Sequence, residues 1–191
     1  MRSSFRFMIL ALAPALILPA AACAQDASAA ARQNGPTLEF TMRYLQQNAV
    51  EGRISYSADV IDTAQNGAVW RNNFAVETSN LTADAQSCRL AYHWRAEVNG
   101  AVADDADYTL PLRQVSSIQV VAQDKNQLQV DTRAGHPEWI SQISPHVFAL
   151  VASRPGGIEN VFLFTSEETA YRVAKAMRHA VEVCASGKDN F

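Results

Sequence analysis

Between Gly52 and about residue 164 the chain alternates apolar and polar residues, after a short opening stretch with helical spacing. That change of period restricts the fold more than any single motif. A period of two sends successive side chains to opposite sides of an extended backbone, so each alternating segment reads as a strand with one face toward a core. Segments near 53–61, 69–78, 87–98, 107–121, 126–133, 146–153 and 158–164 follow this rule, which predicts about seven strands. Asn66-Gly67, Asn99-Gly100, Asp124-Lys125-Asn126, Gly135 with Pro137, and Pro155-Gly156-Gly157 provide turns between them.

Individual strands carry further detail. In SCRLAYHW, Cys88, Leu90, Tyr92 and Trp94 face one way, while Arg89, Ala91, His93 and Arg95 face the other. HVFALVAS and ENVFLF are apolar on both faces, as in strands covered on each side. The first helix is the expected second cover, with a homodimer interface as the rival. The segment 107–121 should bend at Pro111, which cannot donate to a ladder and belongs at an edge or a bulge.

Helices are predicted at both ends of this β region. TLEFTMRYLQQNA aligns Leu38, Thr41, Met42 and Leu45 on one stripe, with Thr37 as N-cap and Gly52 beyond the end. A closing helix from about Ser166 to Ala185 is predicted to start in a capping box of Thr165 and Glu168 and to stop at Gly187. Its apolar stripe holds Ala170, Val173, Ala174, Met177, Val181 and Cys184. The expected core comprises Leu90, Tyr92, Trp94, Leu112, Ile118, Leu128, Val130, Phe148, Leu150, Val173, Met177 and Val181.

Residues 1–24 have the form of a secretory signal peptide: Arg2 and Arg6, an apolar run from Phe7 to Leu18 broken by Pro14, then small residues. Cleavage after Ala24 satisfies the small-x-small rule; the alternative is a lipoprotein signal with Cys23 as the lipidated first residue. The expected location is periplasmic or secreted, or membrane-anchored through Cys23 in the lipoprotein case. Residues 25–35 are Ala-rich and polar and read as a disordered tether, leaving 36–191 as one domain. With a net charge of −3, 13 Arg and 3 Lys in no cluster, the chain does not suit nucleic acid or an anionic membrane surface. No transmembrane segment is expected after the signal.

Cys88 and Cys184 each lie on the inward face of an element, and export supplies an oxidant, so a disulfide is predicted between them. Five residues of helix place His179 about 140° from Cys184, which makes His179 a surface residue and excludes a nucleophile-base pair. No further Cys or His has zinc spacing, and Asp104, Asp105 and Asp107 lack the calcium-loop pattern and read as a solvated acidic turn. His136, Glu138 and Trp139 place an imidazole, a carboxylate and an aromatic ring in one loop, the first place to expect a small-ligand site. The sequence contains no phosphate-binding Gly-rich loop, no Gly-x-Ser-x-Gly elbow and no His-Glu-x-x-His, so neither cofactor nor metal is implied.

Strands followed by one C-terminal helix, as in YTLPLRQVSSIQVV, QLQVDTRA, VFALVAS and ENVFLFTSEETAYRVAKAMRHAVEVC, resemble the pleckstrin-homology-like fold over roughly 52–187. The resemblance implies a mostly β domain: a seven-stranded antiparallel sandwich or barrel capped by the closing helix, here with an extra N-terminal helix. It departs from the family in lacking a Trp in that helix. The basic cluster of phosphoinositide-binding members is reduced to Arg53 and Arg71, with Asp59 and Asp62 between them, so inositol-lipid binding is not implied. The functional expectation is a non-catalytic exported envelope domain that binds a protein, peptide or lipid partner. The alternative is a small hydrolase or ligand-processing enzyme using the 136–139 loop.

Overall fold

The computed structural model describes Gly35–Gly187. The signal segment, Cys23 and nearly all of the tether lie outside the described residues. In chain order the elements are α1 (Leu38–Asn48), β1 (Arg53–Asp62), β2 (Ala68–Asp84), β3 (Arg89–Val98), β4 (Ala101–Pro111), a 3-10 turn (Leu112–Gln114), β5 (Ser117–Ala122), α2 (Gln123–Arg133), β6 (Trp139–Ser144), β7 (Phe148–Arg154), β8 (Ile158–Phe164) and α3 (Glu167–Ser186). Among the described residues no helix is long and apolar enough to cross a membrane.

The strands form two antiparallel sheets, ordered β4-β3-β2-β1-β6 and β5-β7-β8. Among the described residues there are eight strands rather than seven, and neither sheet closes on itself. Three departures explain the count. The segment 126–133 is the body of helix α2, 107–121 divides into β4 and β5, and β6 is masked in the sequence because Ser and Gln dilute its apolar alternation. Asn99-Gly100 makes the two-residue β3–β4 hairpin with φ values of 52° and 81°, the left-handed pair that matches strand twist. Pro111 ends β4 at the edge of the larger sheet, where its missing N–H costs no ladder bond.

The small sheet is covered on both sides, as its two-sided apolar strands require. Leu150, Ala152, Phe162 and Phe164 enter one core with α1 and α3. The alternate residues Ala149, Val151 and Leu163 enter a second core with Ile54, Tyr56 and Val76 of the large sheet. The cover on the helix side is α3 rather than α1; α1 packs on α3 and β2. Helix α3 buries Val173, Ala174, Met177 and Ala180 completely, and its small residues allow the close approach.

Thr37 caps α1, its Oγ1 accepting from Phe40 N–H at 3.2 Å. The cap of α3 is Ser166 and not Thr165: Ser166 Oγ accepts from Thr169 N–H at 3.3 Å. Thr165 is committed elsewhere, donating from both N–H and hydroxyl to Glu51 and tying the α3 start to the turn after α1. Glu168 makes no capping box and pairs with Arg172 one turn on. Gly187 closes the helix at φ 60°.

Cys88 and Cys184 form a disulfide with Cα atoms 5.9 Å apart. Cys88 lies just before β3, in the left-handed conformation, and the 3-10 turn clamps both ends of the bond. Leu112 N–H donates to the Cys88 carbonyl at 2.9 Å, and Arg113 Nε donates to that of Cys184 at 3.2 Å. His179, read as a surface residue, does make a specific contact: its Nε2 lies 2.8 Å from the Pro36 carbonyl, joining the start of α1 to the middle of α3.

Leu90, Tyr92, Leu112, Leu150, Val173 and Met177 are buried as expected, while Trp94, Ile118, Phe148 and Val181 pack against the core only partly buried. Leu128 and Val130 are instead 40% and 42% exposed. Helix α2 is turned over: it buries Gln123, Asn126 and Asp131 and leaves its aliphatic residues in solvent.

Candidate functional site

The inverted helix roofs a pocket of about 250 Å³ on the inner face of the large sheet. Ala58 and Val60 of β1 form its floor, Trp70, Asn72 and Phe74 of β2 one wall, and Trp139 and Ser141 of β6 the other. Gln127 and Asp131 enter from α2. The register explains the convergence, because Val60 stands opposite both Trp70 and Ser141, and residues paired across strands share a face.

The polar side of α2 is held by several bonds. Gln123 Nε2 donates to the Tyr56 hydroxyl at 3.3 Å, and Asn126 Nδ2 donates to Gln123 Oε1 at 3.1 Å. Burial raises the Tyr56 pKa, against a smaller opposing effect of the Gln123 hydrogen bond, so the phenol stays neutral. Gln127 Nε2 donates to Asp131 Oδ1 at 2.8 Å, and His136 N–H donates to the Asp131 carbonyl, also at 2.8 Å. Asp131 is buried, and among the described residues no cation pairs with it. Ser141 is buried too, and its Oγ has no hydrogen-bond partner.

The loop singled out in the sequence borders this pocket. Trp139 lines it, while His136 and Glu138 stand behind. The His136 ring lies flat on Trp139, with centroids 3.8 Å apart and planes 5° from parallel, and its Nδ1 is 3.2 Å from Glu138 Oε1. Trp70 meets Trp139 at 82° with centroids 5.2 Å apart. His136 and Glu138 therefore fix the Trp139 ring, and no hydrogen bond joins His136 to Ser141.

The acidic cluster occupies a different surface. Asp104, Asp105 and Asp107 lie within β4 and not in a turn ahead of it, because the β3–β4 hairpin turns tightly at Asn99-Gly100 and the strand begins at Ala101. Asp105 and Asp107 face His93 and Arg95 across the outer side of the sheet. The row continues from Arg95 to Glu97 at 3.1 Å and from Glu97 to Arg53 at 2.7 Å. Asp107 and then Asp105 raise the His93 pKa, and Arg53 followed by Arg95 lowers that of Glu97. Arg71 forms a two-bond pair with Asp59. Both basic residues of the first hairpin are thus neutralised locally. An open depression of about 460 Å³ lies beside this row, and the charged groups lining it, Arg53 and Glu97, are paired with each other.

Comparison with protein families, curated proteins and solved structures finds no match. The reading of function therefore rests on the pocket itself.

Proposed function

We propose that this chain is a non-catalytic exported binding domain, with the pocket beneath α2 as its binding site. The observation that carries the reading is the inverted α2 helix. Its polar face is kept inside and its aliphatic residues outside, against the hydrophobic preference of each, where aromatic rings and buried polar groups converge. The cavity has room for one small polar group, free or carried by a peptide or a lipid. A small hydrolase acting through the 136–139 loop is the weaker reading, because its histidine is engaged by Glu138 and Trp139 and not by a serine. Two antiparallel sheets closed by a long C-terminal helix also support a pleckstrin-homology-like assignment, with eight strands and open sheet edges as departures.

Indole resonances provide the test, since two of the three tryptophans line the pocket. Spectra of the labelled domain titrated with panels of small amines, amino acids, sugars and lipid headgroups should move Trp70 and Trp139 and leave Trp94 still. No movement of either indole by any panel would overturn the assignment. Turnover of an ester or amide panel that Ser141→Ala abolishes would establish the enzyme instead.

A further inference from the structure

The pocket's chemistry narrows the class of ligand, and this inference rests on the binding reading above. Asp131 is only 8% exposed and carries one side-chain partner, Gln127 on Oδ1. A buried carboxylate without a counter-charge is costly, and a cation received beside it would offset that cost. Ser141, 5% exposed, lines the same space, with its unpartnered hydroxyl closed off from solvent. The lining contains no Lys, Arg or His.

Three ligand classes can be weighed against that lining. An anion would meet Asp131 with nothing to neutralise it. An apolar ligand would strip water from Asp131 and return no hydrogen bond. A sugar could donate to the Asp131 oxygens, but each of its hydroxyls also brings an acceptor needing a donor. Gln127 Nε2 keeps a second N–H that could meet such an acceptor, but a sugar brings no charge to set against Asp131. An ammonium group only donates, neutralises Asp131, and is attracted to aromatic faces. The right-angled rings of Trp70 and Trp139 make a corner for it. We propose that the pocket beneath α2 is a receptor site for the ammonium group of a small organic ligand, held by Asp131 against the Trp70–Trp139 corner.

The experiment is a titration of the domain with choline and with ethanolamine, followed by tryptophan fluorescence and by the indole resonances, with glucose and acetate as neutral and anionic controls. One or both amines should bind saturably and shift Trp70 and Trp139, while the controls do not. Preference between the two amines reports whether the site takes a methylated or a primary ammonium. Asp131→Asn preserves an acceptor for Gln127 and removes the charge, and should weaken binding by roughly 10- to 100-fold, the worth of a charge-assisted hydrogen bond. Unchanged far-ultraviolet circular dichroism checks that the variant folds. If neither amine shifts the indoles, the ammonium assignment falls; a shift by glucose or by any member of the wider panels then shows that the binding site stands, and silence from all of them removes both. Equal amine affinity in the parent and Asp131→Asn also overturns the proposal.

Discussion

Breaking the Cys88–Cys184 bond should be the most damaging small change available in this domain. The bond joins residues 96 apart in sequence, and for a loop of that length the chain-entropy model gives about 4.7 kcal/mol as an upper figure. In a domain of about 150 residues each kcal/mol shifts the melting temperature by roughly 2–4 °C, so a loss of about 10–15 °C is expected. Two perturbations separate the entropic part from packing. Reduction of the native protein leaves both sulfurs in the core, whereas Cys88→Ala/Cys184→Ala also removes two groups that are 1% and 2% exposed. The variant should therefore melt lower than the reduced protein by a further few degrees, at about 1 kcal/mol for each small group removed. Thermal unfolding followed by circular dichroism measures both. A fall of less than about 3 °C on reduction would refute the reasoning. It would mean that the packing of Val173, Met177 and Ala180, with the Arg113 contact to the Cys184 carbonyl, holds α3 without help from the covalent link.

Two further outcomes follow from the geometry. His93 sits between Asp107 and Asp105, and its folded pKa is raised above the unfolded value near 6.5; its stabilising contribution is therefore fully present below that value and is lost as pH rises through the folded pKa. The urea midpoint of the parent should fall across that window relative to His93→Gln, and parallel pH profiles for the two proteins would exclude the effect. Leu128→Lys places a charge where the side chain is already 40% exposed and should change stability by less than about 0.5 kcal/mol in urea unfolding, whereas a loss above about 2 kcal/mol would show that α2 buries its aliphatic side.

Much of this fold is legible in the sequence because local pattern and tertiary need agree. Thr37, the stripe from Leu38 to Leu45, the Asn99-Gly100 turn and the alternation of SCRLAYHW each point to one conformation that also buries the right face. The disulfide is partly readable in the same way: the helix period turns Cys184 inward, whereas Cys88 is set by the left-handed turn just before β3 and not by strand alternation. The α3 cap is less legible: Thr165 and Ser166 are both good caps, and the choice depends on Glu51, 114 residues away, which engages Thr165. The course of 107–121 is partly legible, since Pro111 announces an interruption while nothing local says that β4 and β5 enter different sheets.

Helix α2 fails the reading for a different reason, and that reason points to the site. QLQVDTRA places Leu128 and Val130 two apart, the spacing of a strand, and a helix built on those residues has no coherent apolar stripe to detect. The stripe that exists is polar: Gln123, Asn126, Gln127 and Asp131 follow helical spacing and face the interior. A segment selected only for stability would exchange those groups for apolar ones and turn Leu128 and Val130 inward, because a buried carboxylate without a counter-charge is more costly than an aliphatic side chain in the same place. Retaining the polar stripe makes sense if the groups it buries receive something from outside. The strand-like spacing of Leu128 and Val130 and the polar chemistry of the pocket are two consequences of one arrangement, in which local consistency gives way at the proposed site.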